Sequence, residues 1–468
     1  MQKKVLLLFL FATAMLSGQN RPLLYGVDDL PQSLLQNPGD RIDYIRHFGI
    51  PFLSQVHVSA GSTGITVFDI FNDENAEVNA RIRNALRTLT SGDYFSVNEQ
   101  LEVISFGFRL GERGYVSAGA YQEADFFAYF PKDPALLAFE GNAAHLNESF
   151  DFSDVNFTVE MLVVYHLGYN FKVDSKLTVG GRFKLYSGIF NVESTNNSGT
   201  FRTEVSPDGP NFFRHFIDDF DILVNTSGYA SLNGEDSTVD QAGLELLSRS
   251  FFGQNIGVGM DLGFTYKVTE QLTLSGSVQD FGVMFHQKDV ENYQYKGTFQ
   301  TDGIEPLFPE LEPNESAFSY WDIFEEEVDR RLVDETLTDP YKTWRPLKYN
   351  ASVEFGSGTA FLPCDYLIYT EPRFTNLFGL LFSGVSRPKG PTLGVTTYWD
   401  RKLTDNFRFR VSYGVDAFSL TKFGALVSKR FNNFNIYLAA NDIIGFTNFA
   451  NANSASLQFG MQFIFKEL

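Results

Sequence analysis

The segment 263–282, GFTYKVTEQLTLSGSVQDFG, alternates apolar and polar residues on both sides of one short polar turn. An alternation with a period of two places successive side chains on opposite faces of a strand, so this segment predicts a two-stranded antiparallel hairpin. The same pattern recurs in 168–181, GYNFKVDSKLTVGG, and in 402–409, KLTDNFRF. One hairpin design used three times predicts an all-β chain built from similar antiparallel pairs.

The N-terminus has the pattern of a secretory signal peptide. Two lysines precede an apolar run at 5–12, and the small residues Ser17 and Gly18 follow it. This order predicts a signal peptide over residues 1–18. The whole chain has a formal net charge of −20, and removal of the two lysines would leave −20 − 2 = −22. A chain this acidic repels polyanions, so we expect no nucleic-acid partner.

Composition narrows the fold class further. The single cysteine, Cys364, excludes an intramolecular disulfide and any site that needs several cysteines. After residue 18, no apolar run approaches the roughly 20 residues that a membrane-spanning helix needs. The chain nevertheless contains 49 Phe, 21 Tyr and 39 Gly. Many aromatic residues with a weak mean hydropathy are typical of a transmembrane β-barrel, in which lipid-facing residues alternate with lumen-facing ones.

Connections between the predicted strands alternate between short turns and long loops. The short turns lie at 111–114, 174–175 and 269–271, and the long loops lie at 122–154, 191–254 and 288–346. Outer-membrane barrels carry short periplasmic turns at one end and long extracellular loops at the other. The sequence therefore predicts a single antiparallel transmembrane barrel of about 14 strands, within a range of about 12 to 16, with a few short helices in its loops. A soluble β-sandwich is the structural alternative.

Residues before the barrel have a different character. The prolines of PQSLLQNPGD predict an irregular or briefly helical segment over 19–52, on the periplasmic side or inside the lumen. The barrel itself is predicted to occupy 53–468. Its first part is predicted to be a long strand at 55–71, followed by a short amphipathic helix at 75–89 in a loop.

Six sequence blocks carry a family resemblance. They are PQSLLQNPG at 31–39, LEVISFGFRL at 101–110, YFPKDPALLAFEGN at 129–142, MDLGFTYKVTEQLTLSGSVQDFG at 260–282, YKTWRPLKYNASVEF at 341–355 and AANDIIGF at 439–446. On these blocks the chain resembles a Bacteroidota family of outer-membrane barrels labelled DUF5723. It is more remotely similar to fatty-acid-transporter-like barrels and to a barrel component of the type IX secretion machinery.

This resemblance implies an outer-membrane location, a barrel of about 14 strands and an N-terminal segment inside the lumen. It implies no biochemical activity, because the family has none established. Asn37-Pro38-Gly39 departs from the Asn-Pro-Ala of some relatives. We therefore transfer no site through this motif.

Charged residues on two adjacent predicted strands are candidates for the lumen. Glu160 and His166 alternate with an apolar face on one strand, and Arg182 and Lys184 do so on the next. The alternation places all four side chains toward the lumen, where they would line a solute path. The alternative is a polar network that fills the interior of a large barrel.

The loop at 289–346 is strongly acidic, with fifteen Asp or Glu residues against five Lys or Arg residues. Within it, Trp321, Phe324, Val328 and Leu332 recur at helical spacing. They predict a short helix whose apolar face docks on the barrel or on a protein partner. The alternative is a solvated loop that contains a short helix.

Motifs for chemistry are not found in the sequence. The six histidines lack metal-ligand spacing, and there is no nucleophile elbow, phosphate-binding loop or paired-histidine motif. We expect no catalytic, cofactor-binding or metal-binding residues and no enzymatic activity. The predicted function is porin-like passage of a hydrophobic or small solute. The alternative is a scaffold or partner in cell-surface protein secretion or assembly, with outer-membrane lipid around the barrel in either case.

Overall fold

The chain forms an all-β structure in the computed structural model, which describes residues 22–71, 77–205, 213–232, 239–253, 255–301, 333–359 and 374–466. The strands are β1 (Arg46–Gly49), β2 (Val56–Ser62), β3 (Tyr94–Leu110), β4 (Gly114–Tyr129), β5 (Ser149–Asp151), β6 (Phe157–Lys172), β7 (Leu177–Ser194), β8 (Ser198–Val205), β9 (Phe213–Ser227), β10 (Ile256–Lys267), β11 (Leu272–His286), β12 (Asn292–Thr301), β13 (Val333–Leu337), β14 (Tyr341–Trp344), β15 (Lys348–Thr359), β16 (Phe374–Val385), β17 (Thr392–Thr404), β18 (Phe407–Asp416), β19 (Lys422–Phe431), β20 (Phe434–Asn441) and β21 (Ser454–Phe465). The helices are α1 (Val67–Phe71), α2 (Val78–Thr88), α3 (Lys132–Glu140) and α4 (Val239–Ser250), with 3₁₀ turns at Pro31–Leu35, Phe152–Asp154, Ala230–Leu232, Gly445–Thr447 and Phe449–Asn451.

The strands close into an antiparallel barrel with 14 positions in its wall. β1 and β2 together form the first position, since both pair with β3 on one side and with β21 on the other. β14 and β15 share another position, next to β11. Closure satisfies the backbone hydrogen bonds of every wall strand, as a bilayer requires. The predicted barrel is confirmed, and so is the alternation of short turns with long loops from β3 to β15.

Strand β10 shows how the wall separates two environments. Met260, Leu262 and Phe264 are exposed on the outer surface, and Leu262 keeps 57% of its accessible surface. Asp261 and Thr265, at alternate positions of the same strand, face inward and are almost completely buried. Apolar residues therefore face the lipid and polar residues face the lumen, as the alternating pattern predicts.

A second antiparallel sheet lies at the long-loop end. Its strands follow the order β5, β8, β9, β12, β13. The end of β9 pairs with the end of β7, which joins this sheet to the barrel wall. Arg249 at the end of α4 strengthens the junction, because it donates hydrogen bonds to the carbonyl oxygens of Ile189 and Gly228 at 3.1 and 2.6 Å.

Two predicted boundaries differ from the structure. The predicted strand at 55–71 was wrong in its second half, since β2 ends at Ser62 and α1 follows. Gly64 turns the chain with a φ of 81°, a conformation that favours glycine. The barrel wall also begins at Arg46 and not at residue 53. The amphipathic helix predicted at 75–89 is confirmed as α2. No helix in the described ranges is long and apolar enough to cross a membrane.

His145 holds the loop after α3 in place through two hydrogen bonds. We expect the order of this loop to depend on pH. His145 contacts Glu148 at 2.7 Å and Glu140 at 2.9 Å, and these hydrogen bonds raise the pKa of His145 above its ordinary value. The stabilisation is fully present below the ordinary imidazole pKa of about 6.5 and is lost as the pH rises through the raised value. Amide hydrogen exchange across 141–148, corrected for intrinsic rates, should show protection falling over that window. In His145→Gln, the protection of amides across 141–148 should not change over the same pH window.

Candidate functional site

The lower half of the lumen is filled by residues 22–45, which we call the plug. The chain enters the barrel here before β1 begins, and the turn at Pro31–Leu35 is completely buried. Pro31 suits the first position of that turn, because its fixed φ is preorganised and its missing N–H needs no partner there. Apolar plug side chains pack with inward-facing wall residues in one cluster. Its members are Leu23, Leu24, Val27, Leu30, Leu426, Tyr437 and Ala439.

Glycines let the plug approach the wall at backbone contact, in a region we call the glycine seat: Gly39 in the plug with Gly180 and Gly263 in the wall. A Cβ on Gly180 would lie less than 3.0 Å from the backbone of Pro38, and one on Gly39 less than 3.0 Å from the backbone of Gly263. Backbone atoms cannot swing away as a side chain can. The seat therefore requires glycine at these three positions.

Hydrogen bonds hold the same region. Asn170 on β6 donates to the carbonyl oxygens of Pro38 and Asp40 at 2.7 and 2.8 Å. Ser277 on β11 donates to the carbonyl oxygen of Gln36 at 2.7 Å. These side chains satisfy plug carbonyl groups that form no secondary structure, and a buried carbonyl without a partner would be costly.

Six charged residues tie the plug to β17 and β18 in a cluster we call the ionic lock. Its members are Asp28, Asp29, Asp400, Lys402, Arg408 and Arg410. Arg408 reaches Asp28 at 2.6 Å and Asp29 at 2.5 Å, and Arg410 reaches Asp400 at 2.9 Å. Three carboxylates meet three cations, so the lock is neutral as a whole and all of its charges are compensated.

Two more ion pairs fasten the C-terminal part of the plug. Arg41 pairs with Glu354 on β15, and the hydroxyl of Tyr398 donates to the same carboxylate at 3.1 Å. Lys466, just after β21, reaches Asp43 at 2.6 Å. The plug is thus bonded to wall strands around much of the barrel.

Above the plug the lumen opens into a chamber whose empty space, counted together with the solvent open to it, is about 1100 Å³. Pro22, Leu35 and Gln36 of the plug border it from below. Hydroxyl and amide side chains form a large part of its wall. They are Ser59, Asn98, Gln100, Gln279, Ser383, Thr396, Ser412, Asn441, Ser454 and Ser456.

Charged side chains of the chamber are paired with one another. Lys184 and Lys348 both reach Asp280, at 2.6 and 2.9 Å. Arg387 reaches Asp125 at 2.7 Å. Because each cation lies against a carboxylate, the chamber is polar but has little net charge to select an ion.

A loop narrows the mouth of the chamber. Arg387 and Lys389 lie between β16 and β17, yet they contact Asp125 and Tyr129 on β4, on the far side of the barrel. The ring of Phe418, between β18 and β19, similarly packs 5.3 Å from that of Tyr94 on β3. The chamber is therefore partly covered from the long-loop end as well as plugged from below.

Comparison with protein families matches residues 38–441 to a family described as "Family of unknown function (DUF5723)". The chain belongs to this family. The DUF5723 match starts at Pro38, so it includes all three glycines of the glycine seat and every wall strand from β1 to β20. No curated protein matches the chain.

Solved structures similar to this DUF5723 protein are outer-membrane barrels. The Ralstonia pickettii toluene transporter TbuX has 12% identity and a TM-score of 0.42, over 96% of this chain and 99% of that one. The Pseudomonas putida toluene transporter TodX has 10% identity and a TM-score of 0.37, over 96% and 95%. A Pseudomonas aeruginosa FadL homologue has 10% identity and a TM-score of 0.38, over 95% of both chains.

The four candidate lumen residues lie inside the DUF5723 barrel. Glu160 pairs with Arg345, and Arg182 reaches an inward carboxylate, that of Asp261, at 3.4 Å. His166 is buried, and its ring nitrogens have no hydrogen-bond partner among the described residues. Lys184 borders the chamber. That these residues line a solute path stays a prediction.

Other predicted sites cannot be placed. Trp321, Phe324, Val328 and Leu332, predicted for partner docking, lie outside the described residues, as does the signal peptide predicted at 1–18. The described residues contain no group of three His, Cys, Asp or Glu side chains that could hold a metal ion. The glycine seat and the ionic lock were missed by sequence reasoning. Their only local signals were glycines at inward strand positions and the charges of Asp28 and Asp29.

Proposed function

We propose that this DUF5723 protein is an outer-membrane barrel that admits a small polar solute into the chamber and passes it to the periplasm when the plug moves. The chamber carries this proposal, because hydroxyl, amide and charged side chains converge on a space that lies between the plug and the long loops. The long loops would face outward and the short turns would face the periplasm. The belt of exposed apolar side chains around the wall supports the outer-membrane location.

The lining favours a polar solute over a hydrophobic one. An apolar ligand would displace water from the hydroxyl, amide and charged side chains of the chamber and would offer them no hydrogen bonds in return. That loss is unfavourable. The same groups can exchange hydrogen bonds with a polar solute. We therefore choose the small-solute form of the transport prediction.

Blocking the chamber should stop uptake. Ser412 faces the chamber and Val411 faces the lipid, so Ser412→Trp would fill the chamber while Val411→Trp would change only the outer face. In proteoliposomes, uptake of glucose or glutamate should fall about tenfold in Ser412→Trp and should stay unchanged in Val411→Trp. Heat-modifiable migration on gels checks that both variants fold.

Two outcomes would count against this function. If neither the unmodified protein nor a variant with an unseated plug takes up glucose or glutamate, passage through the lumen is excluded. Uptake of toluene that Ser412→Trp blocks, with no uptake of glucose or glutamate, would assign the chamber to a hydrophobic solute.

A further inference from the structure

Four buried glutamines lie where the plug meets β2, β3 and β21. Gln32 belongs to the plug, and Gln55, Gln100 and Gln458 belong to the wall. Each keeps at most 3% of its accessible surface. We call this group the glutamine track.

Strand register places Gln100 and Gln458 on either side of His57 in the wall. Gln100 on β3 and Gln458 on β21 are both register partners of His57 on β2. Gln55 immediately precedes β2, and its carbonyl oxygen accepts a hydrogen bond from the amide of Glu102 at 2.8 Å. Gln32 approaches the same place, since its amide donates to the carbonyl oxygen of Ser54 at 3.0 Å.

Six of the eight side-chain amide atoms of the track are unsatisfied, whereas the Gln32 nitrogen donates to Ser54 and, at 3.2 Å, to the carboxylate of Glu102. Among the described residues, neither amide atom of Gln55 or Gln458 has a hydrogen-bond partner, and the Gln100 nitrogen and the Gln32 oxygen also lack one. A buried unpaired amide typically destabilises a protein by about 1–3 kcal/mol, so a group of them in one place points to a ligand that pairs with them.

Other sides of the plug differ from this one. The glycine seat and the ionic lock bond the plug closely to β6, β7, β10, β11, β17 and β18. The glutamine track continues from the chamber instead, because His57 and Gln100 border that cavity.

We propose that the glutamine track is the path by which a neutral, hydroxyl-bearing solute leaves the chamber and passes along the plug. A carboxamide offers both donors and an acceptor without charge, and such a surface matches hydroxyl groups and does not favour an ion. The inference rests on the proposed transport function and names its substrate class. Passage along this side would need only the turn at Pro31–Leu35 to shift, while the glycine seat and the ionic lock stay in place.

Cysteine accessibility tests the path without any measurement of transport. In a Cys364→Ser background, single cysteines would replace Ser383 in the chamber, Gln55 and Gln458 in the track, and Thr265 beside the glycine seat. With a small water-soluble thiol reagent added outside intact cells, modification at 383, 55 and 458 should be at least about tenfold faster than at 265. Excess glucose should slow the reaction at 458, whereas glutamate should not.

Apolar replacement supplies the second test. Gln55→Leu and Gln458→Leu remove unpaired amides, so both variants should fold at least as well as the parent protein. Glucose uptake should fall about tenfold in each. Gln122→Leu, the same change on the outward face of β4, should leave uptake unchanged.

The outcomes separate the path from the function. Modification at 383 without modification at 55 and 458, or normal glucose uptake in both leucine variants, would overturn the glutamine track and leave transport standing. Absence of modification at 383 would instead contradict the proposed function, since the chamber would then be closed to solutes.

Discussion

Gly180→Ala should convert the barrel into an open channel. The new Cβ would overlap the backbone of Pro38, and the overlap would be relieved only by moving the plug or the wall. Gly180 belongs to a wall strand paired along its length with β6 and β10, whereas the plug forms no strand. Overpacking of this kind destabilises by about 1–3 kcal/mol, which changes the ratio of unseated to seated plug roughly 5- to 150-fold.

Conductance in planar bilayers measures this change directly, since an empty lumen carries ions and a seated plug blocks them. Gly181→Ala is the matched control, because its Cβ would point to the outer face and meet only atoms beyond 3.4 Å. Equal conductance in the two variants would show that the glycine seat does not hold the plug.

Much of the barrel could be predicted because its rules are local. The alternation in 260–282 places Leu262 and Phe264 outside and Asp261 inside, and this needs only the two-residue period of a strand. The short turns and long loops fix strand direction in the same local way. The second half of the predicted strand at 55–71 failed because Gly64 and α1 interrupt a stretch that still alternates.

The plug could not be predicted in the same way. Asp28 and Arg408 are separated by 380 residues in sequence and by 2.6 Å in space, and nothing near either residue indicates the other. Gly39, Gly180 and Gly263 likewise lie far apart in sequence. They allow the close approach of plug and wall only once the plug, β7 and β10 have come together. Reading the period of a strand shows that a side chain faces the lumen, but it does not show what fills that lumen.

The candidate lumen residues could be predicted in part from the sequence. Glu160, Arg182 and Lys184 could be assigned to the interior from alternation alone, and the structure adds Arg345, Asp261 and Asp280 as their partners. Arg345 lies between β14 and β15, where the pattern is broken, so its inward direction had no signal. The resulting network leaves few charges unpaired, which is why the uncharged glutamines, and not the ions, carry the specificity we propose.

Arg408→Met should release the N-terminal part of the plug. Arg408 is 98% buried and contacts Asp28, Asp29 and Asp400, so its loss would leave three carboxylates with only two cations, Lys402 and Arg410. Removing one partner of a buried ion pair typically destabilises by about 3–5 kcal/mol. Proteolysis from the short-turn side should then cleave within 22–30, at sites that the parent protein protects.

Rescue distinguishes a lost ion pair from lost packing. Adding Asp28→Asn and Asp29→Asn to Arg408→Met removes the surplus negative charge, so protection should return in large part. Arg430→Met is the control at the same end of the barrel, because Arg430 hydrogen bonds Asn406 at the exposed rim and should change stability by less than about 0.5 kcal/mol. Equal cleavage in Arg408→Met and Arg430→Met would contradict the role of the ionic lock.

Combining the two plug variants asks whether the plug moves as one body. If it does, Gly180→Ala and Arg408→Met act on one equilibrium, so the double variant should multiply the two single-variant increases in the ratio of unseated to seated plug, up to a fully open lumen. If the glycine seat and the ionic lock hold separate parts, the conductance increases of the two single variants should only add. The second result would favour small local movements of the plug, which is the kind of movement that passage along the glutamine track requires.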